Sequence, residues 1–362
     1  MPKEVVQNSS DTMVIDATKA KLIGKRRLVT LPQWSIAWIV LIPSLIFLTL
    51  FMLYPVINTF LFAFVQGDLV YSSGKGAFAL GQYFADLEGY GQAVFGFGNF
   101  AHIFRDPANN DFIHAIRNTA ELVIIEVPLT IIIALLIATF LNSIKVLKGF
   151  YQTVFFLPYV TNAIALGLVF NIAFKGNDGG LVNIVLKNLF NVDPIKWLDD
   201  ESSTRLSQAV VIVTYSIWNG IAFKILVFMS GLATIDKQYY DAAKIDGASS
   251  FTIWKRITLP LLSPQILYIT ITSFIGAFKM YTGVMAVYPN GDAYFFGTAK
   301  GAKFVGEEWI TVVGWIYKQI GGQNTMGSLQ PGYTSAASLV LLGIIMVITV
   351  LQFAVSKKRV HY

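Results

Sequence analysis

The chain has 362 residues, of which 55% are hydrophobic and only 13% are charged, and its mean hydropathy is +0.60. Soluble domains average about 25% charged residues, so this composition indicates an integral membrane protein. The lack of cysteine excludes disulfides and thiolate chemistry, and only three histidines argue against a histidine-based metal site. The net charge of +6 reflects basic residues beside apolar segments, and without a soluble basic domain we expect no nucleic-acid partner.

Six apolar segments are long enough to cross a membrane as helices. About 20 apolar residues span the hydrocarbon core of a bilayer. The segments cover about 36–64, 120–141, 151–174, 207–231, 264–288 and 335–355. The first is too long for a signal peptide, and no small-residue cleavage site follows it. The predicted fold class is therefore an all-α integral membrane protein with six transmembrane helices.

Lysine and arginine residues near the span ends predict the orientation, because they favour the cytoplasmic side. They cluster before the first span, at Lys145 and Lys148, at Lys255 and Arg256, and after the last span. Both termini and the loop before the fifth span are therefore predicted to be cytoplasmic. The predicted organisation is a basic N-terminal segment 1–33, a transmembrane domain 34–355 with external loops at about 65–118, 175–206 and 289–334, a cytoplasmic loop 236–260 and a tail 356–362.

A polar stretch between the fourth and fifth spans has the pattern of two short helices. Residues 238–246 contain no glycine or proline and predict one helix. Gly247 is expected to end it, because glycine tolerates the left-handed backbone that follows many helices. Ser249 or Ser250 is expected to cap a second helix, whose apolar residues recur at helical spacing. These apolar residues are Phe251, Trp254 and Ile257.

This stretch resembles a loop of a known family. The pattern Asp-Ala-Ala-x-x-x-Gly from Asp241 to Gly247, followed by Ile-Thr-Leu-Pro ending at Pro260, is similar to the EAA loop of bacterial binding-protein-dependent ABC importers. The string Ala-x-Ile-Asp-Gly-Ala that begins at Ala243 is most similar to carbohydrate permeases of the maltose and multiple-sugar type. The resemblance implies the fold of a type I importer permease and a loop that docks into a cleft on an ATPase subunit.

The resemblance also implies roles for residues of this loop. Asp241 is expected to pair with a basic group on the ATPase, and Gly247 is expected to form the elbow between the two helices. Small residues at 242 and 243 are expected to allow close approach. The expected ATPase-coupling residues are Tyr240, Asp241, Ala242, Ala243, Asp246, Gly247, Leu259 and Pro260. Without the resemblance, the same stretch would indicate amphipathic helices lying on the membrane surface.

Two faces near the middle of the membrane have matching spacing. On the fourth span, residues at i, i+3, i+4 and i+7 share one helical face, namely Ser216, Asn219, Gly220 and Phe223. On the fifth span the same spacing recurs at Ser273, Gly276, Ala277 and Met280. In the family that the chain resembles, these positions contact the sugar, so all eight are candidate substrate-binding residues.

A sugar site needs amide and hydroxyl partners and a surface that fits against the sugar ring. Tyr215 and Trp218 are candidates for that surface, and Lys279 is a candidate for contact with an anionic or hydroxylated solute. Close helix packing is the alternative for Asn219 and the favoured explanation for the small residues Gly220, Gly276 and Ala277. Lys224 lies nearer the cytoplasmic end of its span and is expected to snorkel towards that end.

The third span contains three residues that interrupt its apolar run. Pro158 is expected to kink the helix, either as a gate or as a kink that neighbouring helices accommodate. Asn162 and Asn171 are each expected to hydrogen-bond a neighbouring helix rather than a ligand.

No pattern typical of catalysis or nucleotide binding is present in the sequence. The chain lacks G-x-x-x-x-G-K-[ST], so ATP and Mg are expected on a separate ATPase, with no catalytic residue, cofactor or metal on this chain. The resemblance implies a multi-pass permease of the bacterial cytoplasmic membrane, not an enzyme, that imports a carbohydrate by alternating access. The implied partners are a second permease subunit, an ABC ATPase dimer, an external solute-binding protein and the lipid bilayer.

The alternative function is that of a secondary transporter driven by an ion gradient. Such a transporter needs acidic residues inside the membrane to couple ion and solute movement. The predicted spans contain almost none besides Glu121 and Glu126, near the start of the second span.

Overall fold

The computed structural model describes residues 33–66, 94–105, 110–144, 146–198, 203–288, 309–320 and 331–356. The chain divides into two compact units, Met1–Asn58 and Thr59–Tyr362. The predicted basic N-terminal segment, the tail beyond Ser356 and most of the first and third external loops lie outside the described residues.

In the first unit, helix α1 (Gln33–Leu48) is followed by a π-helical turn (Thr49–Leu53) and by the start of α2 (Tyr54–Phe64). Its apolar side chains are exposed, for example at Trp38 and Phe51. An exposed apolar surface of this kind is what a membrane-spanning helix presents.

The second unit is built almost entirely from helices, which confirms the predicted all-α class. Its strands β1 (Val65–Gln66) and β2 (Val94–Phe95) form one two-residue antiparallel pair. Its further helices are α3 (Gly98–Arg105), α4 (Asn110–Ser143), α5 (Lys148–Val160), α6 (Ala163–Ala173), α7 (Leu181–Phe190), α8 (Arg205–Thr234), α9 (Lys237–Ile245), α10 (Ser250–Ile253), α11 (Leu259–Leu261), α12 (Ser263–Phe278), α13 (Thr282–Val287), α14 (Val312–Ile320) and α15 (Pro331–Ser356).

Four helical stretches in the described residues are long and apolar enough to cross a membrane. They are Ala37–Phe64, Phe112–Ser143, Arg205–Thr234 and Pro331–Ser356. Two bent pairs qualify as well if each pair counts as one span, Gly149–Val160 with Ala163–Ala173 and Ser250–Leu261 with Ser263–Phe278. The six-span count stays a prediction that requires each bent pair to cross the membrane once.

The third predicted span is not a continuous helix, because α5 and α6 meet at an angle of 98°. The side-chain oxygen of Asn162 accepts hydrogen bonds from the backbone N–H groups of Ile164 at 2.9 Å and Ala165 at 3.3 Å. Asn162 is therefore the N-cap of α6. The prediction that it bonds a neighbouring helix is wrong, since its side chain satisfies the start of its own helix. Pro158 lies inside α5, before this bend.

Helix α6 packs closely against α13. The amide of Asn171 donates a hydrogen bond to the carbonyl oxygen of Val287 at 2.8 Å, which confirms its predicted bond to a neighbouring helix. A Cβ at Gly167 would lie only 2.3 Å from Cβ of Ala286. Glycine therefore allows these two helices to approach to a distance that a larger residue would prevent.

The fifth predicted span, 264–288, is interrupted as well. Helix α12 ends at Phe278, and the chain becomes helical again only in the short helix α13. Oγ1 of Thr311 donates a hydrogen bond to the carbonyl oxygen of Met280 at 2.8 Å and so stabilises the break. The prediction of one continuous helix is wrong because this contact joins distant parts of the chain, which helical periodicity does not reveal.

Helices α4 and α8 lie side by side and run in the same direction. Near their N-terminal ends, the guanidinium of Arg205 donates to Oε2 of Glu121 at 2.6 Å. Towards their C-terminal ends, Leu141 and Leu232 belong to one apolar cluster. The two helices are therefore in contact along most of their length.

Helix α12 runs back in the opposite direction. Gln265, near its start, packs against Gly231 near the end of α8. Phe278, at its end, joins the apolar cluster that contains Val123 of α4. The segment between α8 and α12 is therefore attached at one end of the helical bundle.

Residues 309–320 contribute to the core at the other end of the bundle. Trp315 is buried, and its ring lies 4.8 Å from that of Phe112, measured between centroids. The amide of Asn118 donates to the carbonyl oxygen of Ile310 at 3.1 Å. This segment is thereby fixed to the N-terminal part of α4.

Candidate functional site

The segment 236–260 folds as the sequence predicts, as a helix, a glycine elbow and a second helix. Helix α9 ends in a Schellman motif, in which the N–H of Ala248 bonds the carbonyl of Ala243 and the N–H of Gly247 bonds that of Lys244. Gly247 has a φ of 72°, so it adopts the left-handed conformation expected of it. Asp236 caps the start of α9 by accepting a hydrogen bond from the N–H of Gln238 at 3.0 Å.

The second helix is capped by the first of the two candidate serines. Oγ of Ser249 accepts a hydrogen bond from the N–H of Thr252 at 3.3 Å, which makes Ser249 the N-cap of α10. The helix then continues as a π-helical turn, Trp254–Thr258, and as α11, which contains Pro260. One continuous helical stretch, 250–261, therefore connects the elbow to α12.

The inner side of this segment is attached to the helical bundle. The indole N–H of Trp254 donates to Oγ1 of Thr139 in α4 at 3.3 Å. The hydroxyl groups of Tyr240 and Thr258 are 3.3 Å apart. This contact joins α9 to the π-helical turn that follows α10. Leu259 packs at the edge of the apolar cluster shared by α4, α8 and α12. The segment is therefore in contact with the bundle formed by these three helices.

The outer side of the segment is exposed, and it carries both apolar and charged side chains. Ile245 is 87% exposed and Phe251 is 68% exposed. Asp241 is also exposed, and Oδ1 of Asp241 lies 3.7 Å from Nζ of Lys244. Of the remaining predicted coupling residues, Ala242, Asp246 and Gly247 are exposed, and Tyr240, Ala243, Leu259 and Pro260 are half-buried. A surface of this composition suits a protein partner, whose interfaces combine apolar anchors with charge pairs.

The predicted face of α8 is only partly open. Phe223 is exposed, and Asn219 and Gly220 are half-buried. Ser216 is buried, and its hydroxyl contacts Sδ of Met280 at 3.6 Å. The four residues lie along one stripe of α8. Exposure increases along this stripe, from the buried Ser216 to the exposed Phe223.

The two aromatic residues assigned to a sugar-contacting surface lie in different places. Trp218 is 51% exposed. Tyr215 is buried, its hydroxyl donates to the carbonyl oxygen of Ala163 at 2.9 Å, and its ring packs against Gly283. The structure therefore places Tyr215 between helices α6, α8 and α13, and neighbouring residues cover the ring surface that was assigned to a sugar.

On α12 and just beyond it, the predicted residues differ in exposure. Gly276 and Lys279 are exposed, Ser273 and Met280 are half-buried, and Ala277 is buried. A Cβ at Gly276 would meet nothing within 4 Å. Close helix packing within this chain therefore explains the small side chain of Ala277, but it does not explain why residue 276 is a glycine.

Two aromatic residues next to these faces were missed by sequence reasoning. The ring of Tyr159 stacks on that of Phe223, with 6.0 Å between centroids and 21° between planes. Tyr268 is exposed about two turns before Gly276 on α12. Helical spacing from Gly276 could have identified Tyr268. Tyr159 gave no local signal, because its contact joins two different helices.

Lys224 does not extend towards the end of its helix, and the prediction that it snorkels is wrong. Its side chain is buried, and Nζ donates to the carbonyl oxygen of Gly220 at 3.2 Å. Helical side chains tilt towards the N-terminus, so the ammonium points away from Thr234 and the predicted cytoplasmic end. Glu126 on α4 supplies the opposite charge.

Comparison with known proteins gives consistent matches along the chain. Residues 114–361 match the family described as Binding-protein-dependent transport system inner membrane component. The Lactose transport system permease protein LacF of Rhizobium radiobacter is 27% identical over 325 residues, covering 89% of this chain and 94% of that protein. The Arabinooligosaccharides transport system permease protein AraP of Bacillus subtilis is 30% identical over 249 residues, covering 68% of this chain and 72% of that protein.

A solved structure has a similar fold over nearly the whole chain. It is the crystal structure of a bacterial alginate ABC transporter in complex with an alginate pentasaccharide-bound periplasmic protein. The matching chain has a TM-score of 0.67 and 18% sequence identity, with 96% of this chain and 97% of that chain covered. The likeness establishes a shared fold.

Proposed function

The chain belongs to the family of binding-protein-dependent transport system inner membrane components, and we propose that it forms part of the solute pathway of an ATP-driven carbohydrate importer. It is a multi-pass permease of the cytoplasmic membrane. Two of its relatives are named for the transport of lactose and of arabino-oligosaccharides, which supports a carbohydrate as the solute class.

The observation that carries the proposal is the two-sided segment 236–260. Its inner side is attached to α4 through Trp254 and Thr139, and its outer side exposes Asp241, Ile245 and Phe251. We assign the outer side to an ABC ATPase dimer, which binds ATP and Mg and carries out hydrolysis. Closure of that dimer would move the segment and the helices attached to it, so that the pathway opens alternately to each side.

We assign the open surface beside α8 and α12 to the solute. In this assignment Asn219 supplies an amide, and Phe223 with Tyr159 and Trp218 supplies aromatic surface. On α12, Gly276 leaves open space, because a Cβ there would meet nothing within 4 Å. These are the groups that a sugar site needs. The other predicted residues stay part of this assignment, of which Ser216 and Ala277 are buried, Gly220, Ser273 and Met280 are half-buried, and Lys279 is exposed. A second permease subunit would complete the pathway, and an external binding protein would deliver the solute.

The orientation is part of the proposal. Both termini and the segment 236–260 lie in the cytoplasm, and the Arg205 end of α8 lies on the external side. This arrangement places the segment where an ATPase can reach it and follows from the distribution of lysine and arginine residues.

Reconstitution of the complete transporter in proteoliposomes tests the function. A thermal-shift screen of the cognate binding protein against lactose, arabino-oligosaccharides and other sugars first identifies the solute. Uptake of that radiolabelled sugar is expected only when the ATPase subunits and ATP are present. Uptake that persists without the ATPase and follows a proton or sodium gradient would support a secondary transporter instead.

Lys279 has its own test within the same assay. Lys279→Met removes the ammonium at an exposed position at the end of α12. If Lys279 contacts the solute, uptake falls while assembly with the ATPase is unchanged. Unchanged uptake by this variant would remove Lys279 from the solute surface.

A further inference from the structure

Glu126 on α4 and Lys224 on α8 carry opposite charges inside apolar helices. Both side chains are more than nine-tenths buried, with 8% and 9% of their surface exposed. An ionisable residue inside a membrane helix is costly unless it is paired or lines a cavity, and such residues commonly have a function. The contacts of the segment 236–260 and of the proposed solute surface leave this pair without a role.

The ammonium of Lys224 has a hydrogen-bond partner on its own helix and an opposite charge on α4. It interacts electrostatically with the carboxylate of Glu126, and Nζ donates its hydrogen bond to the carbonyl oxygen of Gly220 at 3.2 Å. Oε2 of Glu126 is buried and has no hydrogen-bond partner among the described residues. Lys224 therefore bonds a backbone carbonyl one turn away on α8, and the opposite charge of Glu126 attracts its ammonium towards α4.

Gly220 leaves the space that this arrangement needs. A Cβ at Gly220 would lie 3.0 Å from Nζ of Lys224, so a larger residue would force the ammonium to move. The neighbouring residue Asn219 is half-buried and belongs to the proposed solute surface. The position of the ammonium is thus connected, through the backbone at Gly220, to the residue that presents an amide to the solute.

We infer that Glu126 and Lys224 are positioning residues, which hold the Asn219–Gly220 stretch of α8 against α4 while the segment 236–260 moves. This role rests on the proposed transport function. Direct contact with the solute does not fit, because both residues are buried. The opposite charges occur together because a single buried charge without a partner is strongly destabilising.

The test compares Glu126→Gln, Lys224→Met and the double variant in the complete reconstituted transporter. Each single variant leaves one buried charge without its opposite charge and is expected to lower the thermal unfolding midpoint by several degrees. The double variant is expected to recover most of that loss. Lys187→Met removes an exposed charge that lies 3.2 Å from Asp178 and serves as a control with an unchanged midpoint.

Transport efficiency separates positioning from a purely structural role. Lys224→Met and the double variant both lack the hydrogen bond to Gly220. For each of them, the ratio of sugar molecules transported to ATP molecules hydrolysed is expected to fall by at least about twofold. The probe is the radiolabelled sugar that the binding-protein screen identifies. A double variant with recovered stability and the wild-type ratio would overturn the positioning role.

The thermal measurement tests the pairing on its own. If the fall in thermal midpoint of the double variant equals the sum of the falls in the two single variants, the inference that the charges act as a pair is overturned. A wild-type transporter without ATP-dependent uptake would contradict the proposed function. The two failures are distinguishable, because the thermal comparison of the variants does not depend on transport.

Discussion

The indole N–H of Trp254 donates a hydrogen bond to Oγ1 of Thr139 at 3.3 Å and joins residues that are 115 positions apart. Trp254 lies in the π-helical turn of the segment 236–260, and Thr139 lies in the last third of α4. Thr139 in turn donates to the carbonyl oxygen of Leu135 at 2.8 Å. The segment is therefore connected to α4 by a side-chain contact, in addition to its covalent links to α8 and α12.

Trp254→Phe tests this connection, because it keeps an aromatic ring in place and removes the hydrogen bond. A neutral hydrogen bond contributes about 0.5–1.5 kcal/mol, so we expect a small loss of stability and fewer sugar molecules transported per ATP. Thr139→Val removes the acceptor and should have a similar effect. The variant with both changes should lose little more than either alone, whereas additive losses would mean that the two residues act independently.

Asp241 is expected to act on the partner and not within this chain. Its contact with Lys244 is long, at 3.7 Å, and exposed, and exposed ion pairs contribute little to stability. Asp241→Ala should therefore leave membrane insertion intact but impair co-purification with the ATPase or ATP-driven uptake. Asp241→Glu keeps the charge and should preserve both properties. Normal ATP-driven uptake by Asp241→Ala would contradict the assigned role.

The segment 236–260 was predictable from sequence because its signals are local. A glycine after a helix and a serine before the next one specify the elbow through neighbouring backbone groups. Gly247 and Ser249 adopt those conformations in the structure. The helical class was predictable for a similar reason, since the length of an apolar segment directly reflects the thickness of a bilayer.

The interior of the bundle was predicted less well because it depends on contacts between distant residues. The hydropathy pattern predicted the position of Lys224 along its span but not the direction of its side chain. That direction depends on helix geometry and on Glu126, which lies on another helix. Tyr215 is adjacent to Ser216 in sequence, yet helix rotation turns its ring towards Gly283. The breaks inside the third and fifth predicted spans were missed for the same reason.

Gly247→Ala tests whether the elbow needs its left-handed backbone. Gly247 has a φ of 72°, and a Cβ there would meet nothing within 4 Å, so the only cost is backbone strain, about 1–2 kcal/mol. We expect a lower thermal midpoint and weaker coupling of ATP hydrolysis to uptake. Gly247→Asn should be milder, because asparagine tolerates this conformation.

Gly343→Ala is the matched control for this prediction. Gly343 lies inside α15, where a Cβ would also meet nothing within 4 Å and φ is not positive. Alanine is favoured over glycine inside a helix, so stability should be unchanged or higher. Equal losses at 247 and 343 would show that the left-handed conformation is not the cause.

Asn183 fixes the segment between α6 and α8 through one buried amide. Its Nδ2 donates to the carbonyl oxygens of Lys175, Asn177 and Ile195. Its Oδ1 accepts hydrogen bonds from the N–H of Ile195 at 3.1 Å and from Nε1 of Trp197 at 2.9 Å. The amide therefore brings both ends of this segment together around the start of α7.

Asn183→Ala removes all of these hydrogen bonds and leaves several buried polar groups unsatisfied. Each such group costs about 1–3 kcal/mol, so we expect a total loss above about 3 kcal/mol and faster proteolytic cleavage within residues 175–198. Asn188→Ala, at an exposed position on the same helix, should change stability by less than about 0.5 kcal/mol. Thermal unfolding and limited proteolysis of both purified variants provide the comparison. Similar losses in the two variants would mean that side-chain polarity on α7, and not the hydrogen bonds of Asn183, holds the segment together.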